Sequence, residues 1–400
     1  MGTPAKYLPR VLSDETIQSL LSSLDLPPAE VISPPAATAA YHSIYLLTFP
    51  PEFSSKLEPA TAREPDGSTT LVLRVSGKHL PRIKTINEVS VMRWVRENTT
   101  IPIPAVVRFD ASEDNPLGHE FTLLERAAGI SVDKVYDQLG AETKHSLVAQ
   151  LAGYLAQIHA HSFELIGGMQ LPREGDSVVP GPVLDETFWQ APDVAKYWPP
   201  GESVSTLNIS GPYESYTGLC AAQLERLVYA IERHASLAWV RDLVPRLRAF
   251  VRLIKDGREE EIRDMKLNDV KIVLAHKDLH FANIMFDPLT GKITGVLDWE
   301  FAGTIPAPRW NPVRAFLWNG QNTDEAKAEK EVLMAVFERI CEERGITVLE
   351  DARATAHQQA MQDVLRYMRA IVEVCPRGEK QDVVEGWREA AEEALSRFDV

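Results

Sequence analysis

The sequence predicts an α+β protein in two unequal parts, a small sheet-rich part followed by a larger, mainly helical one. Three observations carry this. Short β-branched and apolar runs cluster between residues 41 and 124, helical periodicity dominates after residue 143, and an apolar hairpin pattern interrupts the helical part at 284–297.

The elements follow in order. Residues 14–24 are amphipathic behind Ser13-x-x-Thr16, a cap-like helix start. The prolines from Pro27 to Pro35 exclude a helix interior. Residues 41–49 and Thr70-Leu-Val-Leu-Arg-Val75 read as strands, and the Pro-, Glu-, Ser- and Thr-rich stretch 50–69 reads as a long exposed hairpin loop. Ile86, Val89, Met92 and Val95 mark a helix over 84–98, with Glu88 off the apolar stripe. Ile101-Pro-Ile-Pro104 lies beyond its end, because a residue before proline is pushed out of the helical region. Residues 106–109 and 121–124 are further strands. Leu147, Leu151, Leu155 and Ile158 predict a helix over 143–161. Residues 170–212 are Pro/Gly-rich and read as irregular, after which helical patterns return at 218–234, 238–256, 323–343, 350–375 and 379–397. The expected division is a first lobe over 1–122, a hinge over 123–127 and a helical lobe over 128–400.

Composition narrows the function classes. With 44% hydrophobic and 25% charged residues over 400 positions, the chain has an ordinary soluble balance. A net charge of −15 argues against general nucleic-acid binding, which needs a basic face. Cys220, Cys341 and Cys375 are odd in number, far apart and without ligand spacing, so reduced thiols in a cytoplasmic protein are expected. No apolar run reaches the roughly 18 residues a membrane span needs. The N-terminus lacks a signal-peptide core, and Lys6 breaks the myristoylation pattern that begins at Gly2.

The chemistry-bearing stretch is His276-Lys-Asp-Leu-His-Phe-Ala-Asn283, followed by Gly295-Val-Leu-Asp-Trp-Glu300. Between them, Ile284-Met-Phe286, a turn-like Asp287-Pro-Leu-Thr-Gly291 and the run Ile293 to Leu297 form the hairpin pattern. Such a hairpin brings Asp278, Asn283 and Asp298 to one end of the ribbon. One carboxylate to accept a proton, with an amide oxygen and a second carboxylate to hold Mg²⁺, is a minimal set for phosphoryl transfer. Arg74 on a strand and Glu88 on a helix add a cation and an acid from the first part. Two other readings compete. His276, Asp278 and His280 are possible ligands of a hydrolytic metal site, but the other histidines are isolated, and His159 and His161, two apart, lie on different helix faces. Alternatively, Asp278 and Asn283 only cap turns. No P-loop, Rossmann or nucleophile-elbow motif occurs.

These segments resemble the aminoglycoside phosphotransferase family, a choline-kinase-like, small-molecule branch of the protein-kinase-like fold, with hydrophobic spacing over 70–125 similar to fungal-type members. The resemblance spans roughly residues 40–320. It is strongest at 276–284 and 295–300, close to the family's His-Gly-Asp-Leu-His-x-x-Asn-Ile and Ile-Asp-Trp-Glu signatures, with support from Ile158 to Gly167, Ile101 to Pro104 and Leu123-Leu-Glu-Arg126. It implies a bilobal fold with a small antiparallel-sheet N-lobe and a larger helical C-lobe. It further implies an ATP- and Mg²⁺-dependent kinase acting on a small-molecule hydroxyl. In that reading Asp278 orients or deprotonates the hydroxyl, Asn283 and Asp298 hold Mg²⁺, Arg74 bridges a phosphate and Glu88, and Leu123, Leu124, Glu125 and Arg126 meet the adenine through backbone groups. His276 braces the loop, and Trp299 and Glu300 pack and hold it.

Three departures from the family pattern stand out. Arg74 replaces the usual lysine, and the two cations differ in geometry. The expected glycine-rich turn reads Ala-Thr-Ala-Ala-Tyr-His-Ser over 37–43, where side chains hinder close approach to phosphates. Lys277 stands where the family has glycine, and reads either as a solvated loop cation, which is favoured, or as a charge that neutralises the transferred phosphoryl group. The departures leave a catalytically impaired binding or scaffold protein as the alternative. A protein kinase is less favoured, since no Ala-Pro-Glu or long activation segment follows Asp298. The segment 170–215 and the helices beyond 320 are expected to line the acceptor pocket.

Overall fold

The computed structural model describes all residues except 1–7, 35–40, 55–56, 60, 172–176, 258 and 313–320. Ser13 caps the first helix, α1 (Asp14–Ser23), by accepting from the Thr16 amide. Its apolar face, Ile17, Leu20 and Leu21, is fully buried on a five-stranded antiparallel sheet. The strands are β1 (Val31–Ser33), β2 (His42–Phe49), β3 (Thr69–Ser76), β4 (Val106–Asp110) and β5 (Phe121–Glu125), in the order β1-β2-β3-β5-β4. β1 falls inside the proline-bearing segment and had no sequence signal beyond Val31-Ile32. The stretch 50–69 is less open than its composition predicts: a short helix, Pro51–Ser54, starts it, and Leu57 is buried in the sheet's core.

Helix α2 (Ile83–Asn98) crosses from this sheet to the rest of the molecule. Val91, Met92 and Val95 leave the sheet core and join a second core with Leu151 and Leu155 of α3 (Ala141–His159) and with Phe286 and Val296. The remaining face of α2 buries Lys84, Thr85, Asn87 and Glu88. Polar groups so buried need partners. Asn87 finds three: its amide nitrogen donates to the carbonyls of Glu300 (3.0 Å) and Ala302 (2.9 Å), and its oxygen accepts from the Met169 amide at 2.6 Å. That close approach requires a glycine beside it, since a Cβ on Gly168 would lie 2.7 Å from the Asn87 oxygen.

The irregular stretch after α3 holds more structure than its composition predicts. A small hairpin pairs β7 (Gly168–Gln170) with β8 (Val179–Gly181), following the two-residue β6 (Ile130–Ser131), and a helix spans Ala191–Tyr197. The helical remainder is α4 (Tyr216–Arg233), α5 (Val244–Asp256), α6 (Asp324–Arg344), α7 (Ala356–Val374) and α8 (Val384–Leu395). Between α5 and α6 run β9 (Ile272–Ala275), β10 (Ile284–Asp287), β11 (Lys292–Val296) and β12 (Gly303–Pro306). α4, α5, α7 and α8 form a third core. The architecture is α+β, as the sequence predicts. Cys220, Cys341 and Cys375 are free and buried, and among the described residues no helix is long and apolar enough to cross a membrane.

Candidate active site

The β10–β11 hairpin sets the geometry. Ile284 pairs with Val296, and one step outside the register the Leu297 amide donates to the Asn283 carbonyl at 2.8 Å. The turn is held by Asp287, whose carboxylate accepts from the Leu289 amide and the Thr290 hydroxyl, and by Gly291 at φ +67°. Asn283 and Asp298 therefore leave the ribbon at the same end.

His276 braces the loop in front of it. The ring accepts at Nδ1 from the Asp278 amide (3.3 Å), donates from Nε2 to the Leu297 carbonyl (2.7 Å), and packs on buried Trp299. With both nitrogens used, His276 is not free to bind a metal. Among the described residues no group of three or more His, Cys, Asp or Glu could hold a metal ion, which removes the hydrolase arrangement.

Asp278 is exposed. Asn283 Nδ2 donates to the Asp278 carbonyl at 2.9 Å and lies 3.3 Å from its carboxylate, and His280 Nε2 lies 3.5 Å from that carboxylate. Partial burial pushes the Asp278 carboxyl up, but the His280 bond and charge, with Asn283, outweigh it and hold it below the usual range. The same contact raises His280. Two residues here have positive φ without being glycine: Lys277 at +68° and Asp298 at +67°. Non-glycine residues rarely adopt this conformation, which costs about 1 kcal/mol or more and clusters at functional sites. The value at Lys277 explains the family's glycine there. Lys277 itself is half-buried, not solvated: Nζ donates to the Leu184 carbonyl at 3.1 Å, and desolvation lowers it to about 8, with Asp185 opposing.

The second half of the site is a buried charge network. Arg74 on β3 donates to Glu88 on α2 and, through Nη2, to Asp298 at 2.9 Å. Lys84, one turn before Glu88, donates to Glu300 at 2.9 Å. His42 lies between the cations, 3.4 Å from Arg74 and 3.3 Å from Lys84, and burial followed by their charges keeps it neutral. Burial raises Glu88, against Arg74, and raises Glu300 to about 7, against Lys84. Three carboxylates (Glu88, Asp298, Glu300) thus face two cations, Arg74 and Lys84. Lys84 and His42 were missed by the sequence reading, although Lys84 stands four residues before Glu88 and so on the same helix face.

The oxygen donors suit a hard cation. Asn283 turns its nitrogen toward Asp278, Asp298 engages Arg74 through Oδ1, and the network carries more carboxylates than cations. The residues expected to form a hinge are placed differently from one another. Leu123 and Leu124 are buried in separate cores, Glu125 accepts from the amides of Ala62 and Ala105, and exposed Arg126 pairs with Glu64 at 3.3 Å. The Glu125 amide already donates to the Ala105 carbonyl, and Leu123 and Leu124 pair with both β3 and β4, so within this segment Arg126 is the residue that lies beyond the β5 ladder. Of the glycine-free turn, residues 37–40 lie outside the described residues. Tyr41 donates to Glu186 at 2.8 Å and stacks on His79.

The family model of the phosphotransferase enzyme family (APH) matches residues 52–307. The chain belongs to this family. Its curated relatives include a subtelomeric hrmA-associated cluster protein of Aspergillus fumigatus, 25% identical over 264 residues, covering 56% of this chain and 50% of the relative. Another is clavilactone A biosynthesis cluster protein Y of Ampulloclitocybe clavipes, 25% identical over 230 residues, covering 55% and 50%. The matched part of the chain thus spans about half the length of these curated relatives. Among solved structures, the chain is similar to the streptomycin-ATP-APH(2″)-IIa ternary complex (13% identity, TM-score 0.48, 96% of each chain covered). It is also similar to ADP-bound aminoglycoside phosphotransferase APH(2″)-Ib (13% identity, TM-score 0.47, 96% and 97% covered).

Proposed function

We propose that this phosphotransferase-family chain transfers the γ-phosphate of ATP, with Mg²⁺, to a hydroxyl of a small molecule. The observation that carries the reading is the hydrogen-bonded Asp278–Asn283 pair at the end of the hairpin that returns Asp298, with Arg74 joining Asp298 to Glu88. Asp278, held ionised, accepts a hydrogen bond from the acceptor hydroxyl and aims its oxygen. Because its basicity is lowered, it takes the proton as the new P–O bond forms rather than before. His280 and Asn283 fix the carboxylate. Asn283 and Asp298 would hold Mg²⁺, which neutralises charge on the phosphate oxygens. Arg74 holds Glu88 and Asp298 in place and offers its guanidinium to phosphate, and the adenine meets backbone groups at the Arg126 end of the Leu123 to Arg126 segment, beyond the β5 ladder. The name of one relative, from a biosynthesis cluster, accords with a small-molecule acceptor.

A second reading, a nucleotide-free binding protein, is favoured by one observation: Arg74 already engages both Glu88 and Asp298. Thermal melting in the presence of MgATP, ATP with EDTA, and no nucleotide separates the two. The phosphotransferase reading predicts stabilisation by MgATP that EDTA removes and Asp298→Asn abolishes. No shift with any nucleotide would replace it with the binding-protein reading.

A further inference from the structure

Beside the loop lies a cavity of about 360 Å³ between the 185–209 segment, α4 and α7. It shares Asp185, Gln223 and Arg309 with a smaller cavity that reaches Lys277, the residue before Asp278. Its walls include Phe188, Trp189, Leu207 and Leu227, an apolar surface suited to a flat or aliphatic body.

The charges on these walls run against the chain's net acidity. Four arginines (Arg226, Arg309, Arg366, Arg369) face three carboxylates (Asp185, Asp363, Glu373). Each carboxylate is already matched. Asp363 pairs with Arg366 at 3.1 Å. Glu373 pairs with Arg369 at 3.3 Å and with Arg377 at 3.4 Å. Asp185 accepts from the Thr187 amide and hydroxyl and feels Lys277 and Arg369. Two guanidiniums are left over. Arg309 donates to the Gln223 side-chain oxygen at 3.1 Å and Arg226 to the Thr206 carbonyl at 3.2 Å. Neither has a carboxylate partner among the described residues. A polycation entering this cavity would find its possible counter-charges taken and two cations exposed, whereas an anion would find two guanidiniums able to give charge-assisted hydrogen bonds.

We propose that the acceptor is an amphipathic or aromatic hydroxy compound carrying an anionic group, a carboxylate, sulfonate or phosphate ester, which Arg226 and Arg309 bind, and that polycationic acceptors are excluded. This rests on the phosphotransferase reading for its chemistry, but the binding preference stands on the cavity alone.

The test uses two matched fluorescent probes on the full chain, 8-anilinonaphthalene-1-sulfonate and its uncharged parent N-phenyl-1-naphthylamine, with kanamycin as competitor. The sulfonate is expected to bind at least about tenfold tighter than the parent, as charge-assisted hydrogen bonds require. The Arg226→Gln/Arg309→Gln double variant removes that preference and leaves the parent's affinity within about twofold. Arg309→Lys, which keeps the charge, retains most of it, and kanamycin displaces neither probe. Both arginines are exposed, and melting curves check that the variants fold. Equal binding of the two probes, a sulfonate preference that survives the double variant, or displacement by kanamycin would overturn the proposal. Asp278→Ala should keep the preference. If wild-type protein discriminates the probes but transfers no phosphate, the phosphotransferase reading falls and the anion site stands.

Discussion

The two halves of the candidate site are built in opposite ways. On the hairpin side, Asp278 is exposed, and its partners His280 and Asn283 lie within five residues of it in the chain. On the strand–helix side, Arg74, Glu88, Lys84 and His42 are buried and reach Asp298 and Glu300 across more than two hundred residues. In the proposed reaction the first arrangement places the Asp278 carboxylate where a substrate can meet it, at little structural cost. The second spends stability on holding charges out of water, and its return is the fixed position of Asp298. Chemistry and rigidity are thus separable in this site, and the separation can be broken by substitution.

The largest stability effect is expected at Glu88. Removing one partner of a buried pair costs about 3–5 kcal/mol, and Asp298 and Glu300 near Arg74 favour the lower end. Glu88→Gln should lower the melting temperature by several degrees, whereas Asp278→Ala should move it by no more than about 2 °C. Equal shifts would erase the distinction.

A buried neutral histidine sharpens the comparison. His159 is stacked on Trp310 with Nδ1 3.8 Å from the Asp351 carboxylate, and burial lowers it to about 4, against Asp351. Its folded value lies below the unfolded 6.5, so the unfolded chain binds the extra proton. The stability is fully present above about pH 6.5 and is lost as pH falls toward 4, by about 3 kcal/mol. Chemical denaturation of wild type and His159→Gln between pH 7 and 4 measures this. The variant should show a flatter decline, and parallel curves would remove His159 from the acid response.

The smallest effect is expected at the hairpin tip. Asp287→Ala removes an exposed turn contact, and a slight loss of stability should appear with the fold and ligand binding retained, as read by melting and MgATP titration.

The contrast also explains what could be read in the sequence. The hairpin and the Asp278/Asn283/Asp298 order are local, so spacing and turn residues disclose them, whereas the bracing role of His276 was implied only by the family resemblance. The helix over 84–98 was visible from Ile86, Val89, Met92 and Val95, but the buried polar face with Lys84 and Asn87 was not, because its partners at 300–302 and 169 are brought in only by tertiary packing. β1 and β12 escaped notice because three- and four-residue strands leave too short a pattern. Lys277 was misjudged as solvated, since nothing nearby in sequence announces the Leu184 carbonyl that receives it.

In the proposed reaction Asp278 directs phosphate transfer. This role is tested most directly by measuring γ-phosphate release from MgATP, with water as default acceptor, for wild type and Asp278→Ala at saturating nucleotide. Measurable turnover is expected in the wild type and a loss of about 10²-fold or more in the variant, with nucleotide affinity little changed. Identical rates in the two proteins would contradict it.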